Sequence, residues 1–135
     1  MTPAFVETEA WFALADARSA THERTAEAIS RHSDALLTTS FVFAELIALI
    51  VSRKGHQLAA RIGERIRTNP HVLLVHPDDR QLARAWQRFV ERPDKTYSLT
   101  DCLSFVIIEE MKVDVVISND RHFRQEGFTV LPEPS

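Results

Sequence analysis

Five short apolar runs punctuate this chain: AFVE (4–7), ALLT (35–38), VLLV (72–75), DVVISND (114–120) and FTVLP (128–132). Between them lie segments with helical spacing. They are TEAWFALADAR, THERTAEAISRH, a long apolar stretch opening at Thr39 or Ser40 and closed by Gly55, HQLAARIGERIRTN closed by Asn69-Pro70, residues 79–91, SLTDCLSFVIIEEMK, and RHFRQEG. Strands that alternate with helices have to be laid side by side through crossovers, so the pattern predicts an α/β domain with a mainly parallel sheet. The local punctuation agrees. Asp78 with Gln81 has the spacing of a capping pair, and so has Ser98 with Asp101. No internal repeat, low-complexity tract or linker interrupts the series, and the expectation is one domain over residues 1–135.

Within that frame one residue is out of place. Glu45 falls in a run, residues 41–51, that is otherwise apolar. An ionised carboxylate in apolar company needs a partner, a metal or a proton. Arg53 or another basic side chain is one candidate partner. The run is far shorter than the roughly 20 residues needed to cross a bilayer, so no membrane span is expected.

A second answer comes from the topology. In open parallel sheets, ligands gather beyond the carboxyl ends of the strands. Glu7 closes the first strand and Asp120 follows the fourth, while Asp101 lies in the first turn of one helix and Glu45 about one and a half turns into another. Four acids from four separate junctions can therefore meet at one sheet edge. Carboxylates packed within about 4–6 Å repel one another and call for a cation or protonation. Oxygen donors without a His or Cys cluster suit Mg²⁺ or Mn²⁺ better than Zn²⁺.

Each acid also has a plainer local role. Asp101 completes a capping box with Ser98, Glu7 can accept backbone N–H groups at residues 8–10, and Asp120 can cap RHFRQ. The other acids, Glu9 among them, lie in polar company and read as solvated surface. Ser40 is either a helix N-cap or a hydrogen-bond donor to a phosphate or a metal-bound water. Arg121, His122 and Arg124 are candidates to meet a phosphate backbone, as is the basic row Arg61, Arg65 and Arg67 with Arg53 and Lys54 upstream. Trp11, Phe12, Phe105 and Ile108 read as core, and Phe123 as the residue that packs its short helix down. A net charge of −3 and a pI near 6.1 exclude a strongly basic nucleic-acid binder by bulk charge. The lone Cys102 cannot form an intramolecular disulfide, and a cytoplasmic setting is expected.

In order along the chain, ETEAWFALAD, TTSFVFAELIALI, SLTDCLSFVIIEE and VVISNDRHFRQEGF resemble the motifs of PIN-domain ribonucleases, and most closely the VapC-like toxins of bacterial toxin–antitoxin modules. The resemblance implies a three-layer α/β/α sandwich. It also implies an acidic pocket of Glu7, Glu45, Asp101 and Asp120 that holds Mg²⁺ or Mn²⁺, and metal-dependent hydrolysis of RNA. A cognate antitoxin and self-association as a homodimer are the implied partners. Glu7 departs from the family, whose first acid is ordinarily aspartate, and its extra methylene extends the reach by roughly 1.5 Å. A silent scaffold that binds antitoxin or RNA is accordingly the other reading of the same residues. A phosphoacceptor receiver domain is disfavoured, because Glu7-Thr8-Glu9, Leu74-Val75-His76 and Thr129-Val130-Leu131 do not supply its acids and lysine.

Overall fold

The computed structural model describes residues 2–134. Elements follow in the order β1 (Ala4–Val6), α1 (Thr8–Ala15), α2 (His22–Arg31), β2 (Leu36–Thr39), α3 (Ser40–Lys54), α4 (His56–Thr68), β3 (Val72–Val75), α5 (Asp79–Val90), α6 (Leu99–Glu110), β4 (Val116–Ile117), α7 (His122–Gln125) and β5 (Val130–Leu131). The strands form a five-stranded sheet in the order β3-β2-β1-β4-β5, and every neighbouring pair is parallel. Helices flank this sheet, as the alternation of runs predicts.

Burial accounts for the largely apolar composition of the strands. All of β1, β2 and β4 are buried, as expected for a parallel sheet covered on both faces. Phe5 and Ile117 have no exposed surface, and α6 supplies seven consecutive buried residues, Cys102 to Ile108. Phe123 fixes the four-residue α7 from beneath. It is fully buried and packs edge-on against Phe105, with Phe5 and Phe128 beside it. Trp11 and Phe12 are also in the core.

The strand order also locates the crevice. Chain progression runs from β1 outward to β2 and β3 on one side and, later, to β4 and β5 on the other, so the direction of winding reverses between β1 and β4. A reversal of this kind leaves a gap beyond the strand ends, because the loops on either side depart in opposite directions. Glu7 lies immediately after β1, and Ser118-Asn119-Asp120 immediately after β4.

Local signals set the helix ends. Thr39 caps α3 by accepting from the Val42 N–H at 3.0 Å, which assigns the cap to Thr39 and leaves Ser40 as the first helical residue. Gly55, at φ +98°, closes α3 in a conformation that L side chains rarely adopt. Asp78 with Gln81 and Ser98 with Asp101 both form complete capping boxes.

Candidate active site

One pocket of about 490 Å³ opens beyond β1 and β4 and is lined by Glu7, Glu45, Asp101 and Asp120, together with Glu9, Thr96, Ser98 and His122. The structure thus brings the four acids together at one sheet edge. No Lys or Arg is among the residues that line it.

Each acid keeps its local role while facing the pocket. Glu7 is 4% exposed; its Oε1 accepts from the Ala10 N–H at 2.8 Å and its Oε2 from the Glu9 N–H at 3.0 Å, so it is the N-cap of α1. Burial outweighs those two bonds and pushes its carboxyl up to about 8, with Asp120 adding repulsion. Asp101 Oδ2 accepts from the Ser98 N–H at 3.0 Å and lies 2.8 Å from His122 Nδ1. Its carboxyl is also raised, by burial first and then by Asp120, against the lowering bonds from Ser98 and His122. Asp120 Oδ1 accepts from the backbone N–H of His122 at 2.9 Å, and its Oδ2 lies 3.3 Å from His122 Nδ1. The Ser118 hydroxyl accepts from the Asp120 N–H at 2.9 Å and fixes the turn after β4.

Glu45 differs from its sequence expectation. The run 41–51 is apolar on all helical faces, yet only Val42, Leu46 and Ile50 of α3 are buried, and Glu45 lies on the exposed side. Its partner is the Thr8 hydroxyl, which donates to Oε1. Arg53 is engaged elsewhere, its guanidinium 5.0 Å over the Phe12 ring. The other apolar residues of α3 include exposed Phe41 (38%) and Val51 (44%).

The basic candidates separate. Arg121 is exposed and borders a second depression of about 430 Å³ with Glu9, Asn119, Asp120 and His122. Arg124, although exposed, turns its Nη2 toward the C-terminal strand and donates it to the carbonyls of Val130 at 3.0 Å and Pro132 at 2.7 Å. Ser40 is half-buried at the start of α3 and is not among the pocket-lining residues. His122 lies between two of the acids instead of out toward a phosphate: its Nδ1 and one carboxylate oxygen each from Asp101 and Asp120 fall within 4.8 Å of one another. Its Nε2 meets the Thr96 hydroxyl at 3.0 Å.

Sequence reasoning passed over Thr8, Thr96 and Glu9. Glu9 reads as surface, and it does line the pocket, being exposed there. Thr8 directly follows Glu7, and a hydroxyl at the first position of a helix leaving a strand end is a usable signal. Thr96 sits in the turn-rich loop before α6 and carries no comparable mark.

The PIN-domain family model matches residues 4–128. The chain is 28% identical over 130 residues to the 23S rRNA-specific endonuclease VapC20 of Mycobacterium tuberculosis, covering 96% of this chain and 98% of that one. The crystal structure of that toxin, which cleaves the sarcin–ricin loop, superposes with a TM-score of 0.88 at 26% identity, covering 93% of this chain and 96% of that one. Fold similarity extends to FitAcB from Neisseria gonorrhoeae, with a TM-score of 0.67 at 14% identity over 96% of each chain.

Proposed function

This chain belongs to the PIN-domain family, and on that premise we propose that it is a divalent-metal-dependent endoribonuclease, the toxin of a toxin–antitoxin pair, whose active site is Glu7, Glu45, Asp101 and Asp120. The observation that carries the reading is the uncompensated charge of the pocket: acids from four separate junctions line one cavity with no Lys or Arg among them. Such a site is stable only with protons or a cation, and the raised carboxyls of Glu7 and Asp101 are the metal-free side of that balance.

The donor set fits the ion the family implies. Carboxylate oxygens dominate it, as suits Mg²⁺ or Mn²⁺. Asp101 and Asp120 would hold the ion, with Glu7 and Glu45 completing the acidic wall. The ion supplies Lewis acidity and neutralises charge at the scissile phosphate.

The chain's own groups do the rest. The Ser98 N–H and His122 orient Asp101, the His122 N–H orients Asp120, and the Thr8 hydroxyl orients Glu45. Glu7 is held by two N–H groups in a buried position, with a carboxyl near 8. Held in this way, Glu7 serves as a ligand of the ion or as the base that orients the attacking water. Arg121, exposed beside Asp120, is placed to contact the RNA backbone.

Self-association as a homodimer is proposed from the family resemblance. The cognate antitoxin is the expected ligand of the acidic pocket, where a basic side chain would stand in for the ion. Ribosomal RNA is the first substrate to examine, since the VapC20 relative is a 23S rRNA-specific endonuclease.

The test is cleavage by purified protein. Intact ribosomes and total tRNA are incubated with Mn²⁺ or Mg²⁺, with and without EDTA, and with Asp101→Asn in place of the unsubstituted chain. Discrete rRNA fragments that vanish with EDTA and with Asp101→Asn are expected. Cleavage that survives either treatment would overturn the assignment, and antitoxin binding without any cleavage would establish the silent scaffold.

A further inference from the structure

We propose that His122 is itself a ligand of the divalent ion, through Nδ1, and that this nitrogen tilts the site toward Mn²⁺ over Mg²⁺; the proposal rests on the metal-dependent reading above. Three observations carry it. Nδ1 lies 2.8 Å from Asp101 Oδ2 and 3.3 Å from Asp120 Oδ2. Neighbouring ligands in an octahedral shell with bonds of about 2.1 Å are separated by about 3 Å, so these two distances bracket the spacing of adjacent positions around one ion.

The far side of the ring is the second observation. Nε2 is 3.0 Å from Thr96 Oγ1, a hydroxyl able to accept the Nε2–H; with the proton held there, the Nδ1 that hydrogen-bonds Asp101 in the metal-free protein can give its lone pair to an ion. An ion bound between Nδ1 and the two carboxylates would take the place of the Nδ1–H proton that now bridges to Asp101. Third, the ring is fixed. Tyr97 packs edge-on against it at 5.1 Å, the Tyr97 hydroxyl is anchored to Glu126 at 2.9 Å, and the His122 backbone is tied to Asp120. An imidazole held in this way is a preorganised ligand. Imidazole favours the later divalent metals and adds little for Mg²⁺, which prefers oxygen.

The readout is the nucleus bound to the ion. Mn²⁺ is titrated into the full-length protein and followed by continuous-wave EPR, and the bound ion is then examined by electron spin echo envelope modulation. We expect ¹⁴N modulation from a directly coordinated nitrogen, replaced by a ¹⁵N pattern when the protein is made with ¹⁵N-histidine. His122→Asn should abolish the nitrogen signal and weaken Mn²⁺ binding by about tenfold, while Mg²⁺ affinity, measured by competition, changes less than about twofold. The labelling experiment needs no substitution, so poor folding of the variant would not block the answer. Bound Mn²⁺ with no nitrogen coupling, or coupling that persists in His122→Asn, overturns the role of His122 and leaves the metal-dependent nuclease standing. Absence of any bound Mn²⁺ removes both.

Discussion

The two ends of α6 hold acids under opposite regimes. At its start, Asp101 faces Glu7, Glu45 and Asp120 across a pocket that no Lys or Arg lines. At its end, Glu110 bonds Arg80, Arg84 and Gln81, while Glu109 pairs with Arg88. Glu126, beyond α7, receives Arg88 at 2.7 Å, Arg92 at 3.1 Å and the Tyr97 hydroxyl at 2.9 Å. Burial raises the Glu126 carboxyl, but those three partners overcome it and hold the group near 2. In the pocket burial meets too few cations, and Glu7 rises to about 8. Acids of the same chemical type are thus placed oppositely: a matched cluster joins α5, α6 and α7, and an unmatched one lines an open pocket. The end without arginines is the one proposed above as the active site.

The sharpest way to break this contrast is Asp101→Asn. RNA cleavage in Mn²⁺ should fall by about 10³-fold or more without a lower Tm, because the change relieves repulsion while an amide oxygen still accepts from Ser98. Any loss of stability comparable to that of a matched acid would erase the distinction.

The pH dependence is the next largest effect. A carboxyl raised from 4.5 to about 8 keeps its proton in the folded protein longer than in the unfolded chain. Stability from this group is therefore full below about pH 4.5 and is lost as pH rises toward 8, by on the order of 4–5 kcal/mol at the limit. Urea unfolding of the metal-free protein between pH 5 and 8 should show this decline. Glu7→Gln should flatten it, and saturating Mn²⁺ should offset it at pH 8. An unchanged slope in Glu7→Gln would mean that Glu7 is not the group responsible.

Breaking the matched end should act on stability. Glu126→Ala leaves Arg88, whose side chain is 15% exposed, without one of its two carboxylates, along with the Tyr97 hydroxyl, and is expected to cost about 3 kcal/mol in urea unfolding. Bound Mn²⁺ affinity should stay within a factor of a few. The smallest effect is predicted for Arg80→Ala. Its side chain is 60% exposed, Arg84 also reaches Glu110, and the change in unfolding free energy should remain below about 1 kcal/mol.

Much of this was legible in the sequence because it is local. Each strand run overlaps a strand with ends that agree to within three residues, and the capping boxes at Asp78 and Ser98 formed as their three-residue spacings required. The capping roles of Glu7 and Asp101 were legible for the same reason, and they proved compatible with facing the pocket, since a carboxylate has oxygens and lone pairs enough for both. The setting of Glu45 was misjudged from sequence. An apolar helix reads as buried on every face, whereas the sheet covers only the side carrying Val42, Leu46 and Ile50. Arg124 and His122 looked alike in sequence, two positions apart beside Asp120, and the fold sent one to the carbonyls of β5 and the other between two acids.

The sequence by itself determined which residues become strand, helix and cap, because those choices rest on hydrogen bonds and side-chain spacing within a few residues. Only the tertiary structure decided that residues 7, 45, 101 and 120 share one cavity, that an imidazole sits between two of them, and that arginines gather at the other end of α6. Parallel strands are joined by long crossovers, so their ends are brought together by packing across the whole sheet, and no short-range pattern encodes which side chains meet there.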